Sequence, residues 1–224
     1  PRLRTQLCRL TVYLFRDIGA FDDAHIFAVR AVHCALLDSD TTGLAQSLYS
    51  LGLLEGLAGR YAEAKWLLNG CLKLDDLPPS YAVWVHYGLA YVGFKLGEIA
   101  ESEAALLRAE CSDIESAEGH ISFLRGALAM RRKRLDEAEE CFRLSKSRFD
   151  ACGSVVDRLL WGLYYGEYLL HSGQPLEALR EVRQLRVLAR ADSKNKLVQA
   201  ALLGLGEIAR QGHVTLSLLR STCE

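Results

Sequence analysis

Apolar positions return every three or four residues from one end of the chain to the other, the period of helices with one face turned inward. No window alternates apolar and polar residues for long enough to make a strand. The four prolines, at 1, 78, 79 and 175, all fall where such a helix should begin or end. The pattern predicts paired helices over 3–18 and 21–37, 43–58 and 61–74, 80–96 and 99–110, 115–132 and 135–149, and 155–172 and 175–190. A last pair is expected over 196–211 and a short 214–222. The gaps are short connections, including Asp38–Thr42, Gly153–Ser154 and Asp192–Asn195. The expectation is therefore one repeat domain over 1–224, with units at 3–37, 43–74, 80–110, 115–149, 155–190 and 196–222.

The pairs share a phase. Turn residues stand at Gly19, Gly59, Gly97, Lys133, Gly173 and Gly212, spaced 36 to 40 residues apart. Two positions on come Phe21, Tyr61, Ile99, Leu135, Pro175 and Val214. Five positions on, every residue is Ala or Ser: Ala24, Ala64, Ser102, Ala138, Ala178 and Ser217. A small residue early in the second helix lets two backbones approach closely. Glycine at the turn takes the positive φ that ends the first helix, which a β-carbon penalises. Asp23, Glu63, Glu137 and Glu177 sit in the first turn of the second helix, at the positive end of its dipole. One such hairpin cannot bury its apolar faces alone, so neighbours must stack.

These residues resemble the tetratricopeptide repeat (TPR) superfamily, best in the second unit, with Leu51–Gly52, Gly59-Arg-Tyr61, Glu63–Ala64, Leu68 and Pro78. The family's small slot midway along the first helix holds Gly52, Ala90, Gly126 and Gly166. Two features depart from the family: the longer repeat, and Cys8, Leu48, His86, Ser122, Gly162 and Ala201 where an aromatic is usual. Longer, degenerate units look like those of bacterial regulators of the MalT-like or antibiotic-regulator type, or of quorum-peptide receptors. The resemblance implies an all-α, right-handed superhelical solenoid of about six helix-turn-helix hairpins, whose first helices line a concave groove.

Composition narrows the function. The formal net charge of -1 argues against a bulk electrostatic hold on nucleic acid or anionic lipid. Seven cysteines, none in CxxC spacing, read as buried small hydrophobes with free thiols in a reducing, cytoplasmic setting. No apolar run reaches the ~18 residues of a membrane span, and no secretory signal opens the chain. The start at Pro1 fits either loss of an initiator Met or a domain cut from something longer. No phosphate-binding loop, nucleophile elbow or metal-ligand spacing appears, so neither an enzyme nor a cofactor or metal site is expected. Asp22-Asp23-Ala24-His25 reads as an acidic helix start, and Arg131–Arg134 as a solvated turn able to dock an acidic partner.

Laid on the repeat, the groove positions include Tyr49 of the second unit and the stripe Trp84, Tyr87, Tyr91 and Phe94 of the third. The fourth adds His120, Phe123 and Met130, and the fifth Leu163 and Glu167. Aromatic groups with polar tips suit a wet contact surface, although the same residues could instead pack the seams between units. The expectation is a non-catalytic scaffold binding a protein or peptide in this groove, with no direct nucleic-acid or membrane contact. One alternative is the ligand-sensing or oligomerisation domain of a transcriptional regulator whose DNA-binding part lies elsewhere. The other is self-association through terminal repeats, with Leu216, Leu218 and Leu219 needing cover.

Overall fold

The computed structural model describes residues 2–18, 20–75, 77–110, 115–152, 155–189 and 196–221. Among them the chain forms eleven helices and no strand: α1 (Arg2–Asp17), α2 (Phe21–Leu37), α3 (Thr41–Leu57), α4 (Tyr61–Cys71), α5 (Pro79–Leu96), α6 (Ile99–Glu110), α7 (Glu115–Arg131), α8 (Leu135–Cys152), α9 (Val155–His171), α10 (Pro175–Ala189) and α11 (Lys196–Ser221). They belong to two compact units, Pro1–Ile121 and Ser122–Glu224. In the first, each of α1 to α5 packs on the next, and α3 also touches α1 and α5. In the second, α9 packs on α8, α10 and α11, and α10 on α11.

Among the described residues one turn geometry closes five hairpins. After α1, α3, α5, α7 and α9 a backbone N–H reaches back five residues: Ala20 to Phe15, Arg60 to Glu55, Glu98 to Gly93, Arg134 to Ala129 and Gln174 to Leu169, at 2.7–2.9 Å. This bond satisfies a carbonyl that the helix end leaves open. The carbonyl of the same residue then accepts from Ala24, Ala64, Ser102, Ala138 or Ala178 at 2.9–3.1 Å, opening the next helix. The geometry needs a left-handed residue just before, and Gly59, Gly97, Lys133 and Gly173 have φ of 79°, 79°, 60° and 76°. The connection between the first two hairpins repeats the design. Ser39 has φ 50°, Asp40 N–H donates to Ala35, and the Asp40 side chain caps Gly43 at 3.0 Å.

The small residues after each turn do what the spacing predicts: Ala24, Ala64, Ser102, Ala138 and Ala178 have no exposed surface. Ser102 also donates its hydroxyl to Ala90 O at 2.6 Å, which satisfies a polar group at the contact. The mid-helix small slot is equally tight. Leu68, 1% exposed, fills the space in front of both Gly52 and Gly88, where an added β-carbon would lie 3.1 Å away. Gly126 meets Phe142, and Gly166 meets Ile208, at the same distance. Burying a Leu or Phe of this kind contributes about 1.5–3 kcal/mol.

The sixth pair is different from its expectation. α11 runs unbroken through Gly212, which does not take a positive φ. Ala201, Leu205, Ile208 and Gly212 are all buried, so the inward stripe continues in phase across the expected turn. A β-carbon at Gly212 would meet Leu179 at 3.2 Å and Pro175 O at 3.5 Å. The glycine thus lets α11 lie close to α10. The expected turn at Gly19 and the links at 153–154 and 192–195 lie outside the described residues, as do Cys111 and Cys223 and the side chains of Cys152, Leu216, Ser217, Leu218 and Leu219.

Candidate partner-binding surface

In the first unit, α1, α3 and α5 carry a connected polar and aromatic surface. Pro78 and Pro79 start α5 and set its phase, since proline suits a helix start but not its interior. From there Tyr81, Trp84, Tyr87 and Tyr91 follow at helical spacing. Tyr81 stands edge-on to Tyr49 of α3, with ring centroids 6.0 Å apart. Arg9 of α1 donates to the Tyr81 hydroxyl at 2.7 Å and also to Gln46 of α3, and its guanidinium lies 5.8 Å over the Tyr81 ring. Farther along α5, Trp84 and Tyr87 meet at right angles, 6.1 Å apart. His120 stands edge-on to both, at 5.2 and 5.7 Å. Lys95 Nζ sits 5.4 Å over the Tyr91 ring.

Three of the sequence-predicted residues, Trp84, Tyr87 and His120, thus form one cluster, and Tyr49 joins Arg9 through Tyr81. Their exposure divides them. Tyr49, Tyr87 and Phe94 are 7%, 9% and 4% exposed and act mainly as packing; Trp84, Tyr91 and His120 are half-buried. Burial pushes the Tyr49 phenol far above its ordinary range, and pushes Tyr81 up despite the Arg9 charge beside it. In the second unit, Phe123 is buried among Phe142, Phe149 and Tyr164, and Met130 is buried as well. Leu163 is half-buried and Glu167 exposed.

Two further clefts escaped the sequence reading because each draws on segments far apart in the chain, one on three helices and the other on two helices and a turn. One, of about 140 Å³ in the second unit, is lined by Lys146, Asp150, Arg158, Trp161 and Glu181 among others. Lys146 Nζ lies 4.6 Å over the Trp161 ring and 3.8 Å from both Asp150 and Glu181. The Trp161 indole donates to Phe142 O at 3.0 Å, so the ring is held from behind. The other cleft, of about 300 Å³ in the first unit, is lined by Phe21, Asp22, His25, Ile26, Leu54, Ala58 and Arg60. Beneath it the carboxylate of Glu55, only 8% exposed, accepts from His25 at 2.8 Å and from Arg60. Burial alone would raise the Glu55 carboxyl, but hydrogen bonds from Arg60 and His25 outweigh it and hold it below the usual range. His25 of the acidic helix start is thereby engaged with Glu55.

The basic turn Arg131–Arg134 is exposed throughout, with Arg134 paired to Glu137 at 2.8 Å. No helix among the described residues is long and apolar enough to cross a membrane.

No family model and no curated protein matches the sequence. Solved structures do match. RapI in its apo form has a TM-score of 0.58 at 12% identity, covering 97% of this chain and 85% of its own. The TPR-like repeats of a putative kinesin light chain from Podosopora anserina give 0.54 at 16%, covering 87% and 96%. A double mutant of MamA gives 0.51 at 14%, covering 86% and 98%. With five hairpins closed by one repeated turn, the chain has the all-α fold of the TPR-like helical repeats.

Proposed function

We propose that the chain is a non-catalytic interaction module that holds a protein or peptide partner against the aromatic face of its first unit. The observation that carries this reading is the set of half-exposed rings on consecutive first helices, Tyr81, Trp84, Tyr91 and His120, backed by buried Tyr49 and Tyr87. Rings locked from behind lose little side-chain freedom on binding, and a polar tip at the surface adds orientation. Arg9, fixed by Gln46 and Tyr81, would supply a positioned positive charge, and Lys95 over the Tyr91 ring a second. Binding would then be mainly apolar, with modest salt dependence.

The test compares Trp84→Ala and Tyr91→Ala with Tyr87→Ala, measuring melting and binding on each. A partner is first isolated from lysate on the wild-type chain and then produced pure. Trp84→Ala should weaken it by about 2 kcal/mol, a typical anchor value, with little change in melting temperature. Tyr87→Ala should destabilise the fold by about 2–4 kcal/mol, as a buried ring does. Unchanged affinity in both exposed-ring variants would refute the reading. Steep salt dependence centred on Arg131–Arg134 would move the contact to the basic turn.

A further inference from the structure

Leu3, Leu7, Leu10 and Leu14 of α1, and Ile18 just after it, form one row, each 61% to 76% exposed. At about 100° per residue the five fall within an arc of roughly 80°. The opposite side of the helix, with Thr5 and Val12 at 1% exposure, is taken up by the fold. The row is therefore an apolar seam on a helix already fixed in place, and its 4-3-4 spacing is that of helices paired side by side.

We infer that this seam pairs with the same seam of a second copy of the chain. Its width suits one helix, whereas a helix lying on a lipid surface presents a broad apolar face flanked by lysines and arginines turned to the headgroups; of the arginines on α1, Arg9 is instead tied to Gln46 and Tyr81, and Arg16 lies over the Tyr13 ring. Its flanks fit a copy of itself. With Leu3 and Leu10 in one seam register and Leu7 and Leu14 in the other, the flanking positions are Arg4, Thr11 and Ile18 on one side and Gln6 and Tyr13 on the other. Antiparallel pairing sets Arg4 beside Ile18 of the second copy and Gln6 beside its Tyr13. Parallel pairing sets Gln6 beside Thr11. The antiparallel arrangement brings no like charges together at these flanks, whereas the parallel one would set Asp17, in the same register as Leu3 and Leu10, against its own copy, so the two-fold contact is antiparallel. The exposed row amounts to several hundred Å², the size of the largest apolar patches on monomeric proteins. A stable interface takes roughly 800 Å² per partner, so the row by itself fits a weak, reversible dimer.

Sedimentation of the purified chain from about 1 to 200 μM should show a monomer–dimer equilibrium with a dissociation constant in the micromolar range. The double variant Leu7→Glu, Leu10→Glu should weaken it at least about tenfold. Because both side chains are exposed, its circular dichroism and melting temperature should match wild type. Trp66→Glu, at an isolated ring 75% exposed on α4, should leave the dimer intact. So should Trp84→Ala, which separates this inference from the binding reading above. A monomer across the whole range, or a dimer indifferent to the double variant, would overturn the proposal. So would binding of phosphatidylserine vesicles that the double variant abolishes while no dimer forms.

Discussion

Lys133 holds a φ of 60° at a turn whose sisters use Gly59, Gly97 and Gly173. A lysine there bears the cost of its β-carbon against the backbone, which glycine escapes. Lys133→Gly should therefore stabilise the chain by about 0.5–1 kcal/mol, seen as a rise in melting temperature. Gly59→Ala should do the reverse by a similar amount, and purely through conformation, since an added β-carbon there meets nothing within 4 Å. If both leave melting unchanged, the turn geometry is not what ends these helices. The small residue five positions after each turn is a sharper test of phase. Ala64→Trp or Ala138→Trp, each into a site with no exposed surface, should cost about 1–3 kcal/mol or more by overpacking. The glycines and the small residues were legible because they repeat. Ser39 was not, because Ser-Asp-Thr reads equally well as a generic cap. Burial was legible for Cys71, which is fully covered, its thiol pushed up to about 12 by desolvation. A thiol reagent should reach Cys71 only after denaturation.

Helix positions followed from the sequence to within a few residues wherever a proline or a left-handed turn marks the end. α5 and α10 begin at Pro79 and Pro175, and α6 at Ile99, where the pattern put them or one residue away. Gly212 misled because glycine serves two ends that a sequence does not distinguish: a positive φ, or close approach inside a helix. What separates them is the stripe running Leu205, Ile208, Gly212, which stays in phase only if the helix continues. His213→Pro discriminates the two. Inside α11 it removes a backbone hydrogen bond and clashes with the preceding turn, costing up to about 3 kcal/mol and some helical ellipticity. At a turn it would have been nearly silent. A melting temperature within error of wild type would restore the hairpin.

For the whole molecule, helical faces were easier to read than exposure along them. The stripe Trp84, Tyr87, Tyr91 and Phe94 is real as spacing, yet Tyr87 and Phe94 turn inward while Trp84 and Tyr91 stay half open. Four residues on one stripe span enough arc to reach both a seam and a surface, and only the neighbouring helices decide which. Long-range polar ties were illegible for the same reason. Arg9 to Tyr81 joins residues 72 apart, and Glu55 gathers His25 and Arg60 from α2 and from the start of α4. That last cluster sets an acid limit on the fold. The Glu55 carboxyl titrates below its ordinary range when folded, so its stabilisation is fully present above the unfolded value. It is lost as pH falls through the folded one. Its partners are 40% and 52% exposed, which discounts the pairing, so Glu55→Gln should cost about 1–2 kcal/mol near neutrality. Urea midpoints of wild type and variant should then converge as pH falls below the ordinary carboxylate range and on through the lower folded-state value, where the wild-type carboxyl is itself protonated. A gap that stays constant from pH 7 to about pH 3 would mean that Glu55 contributes shape alone, and that its charge does not hold the three helices together.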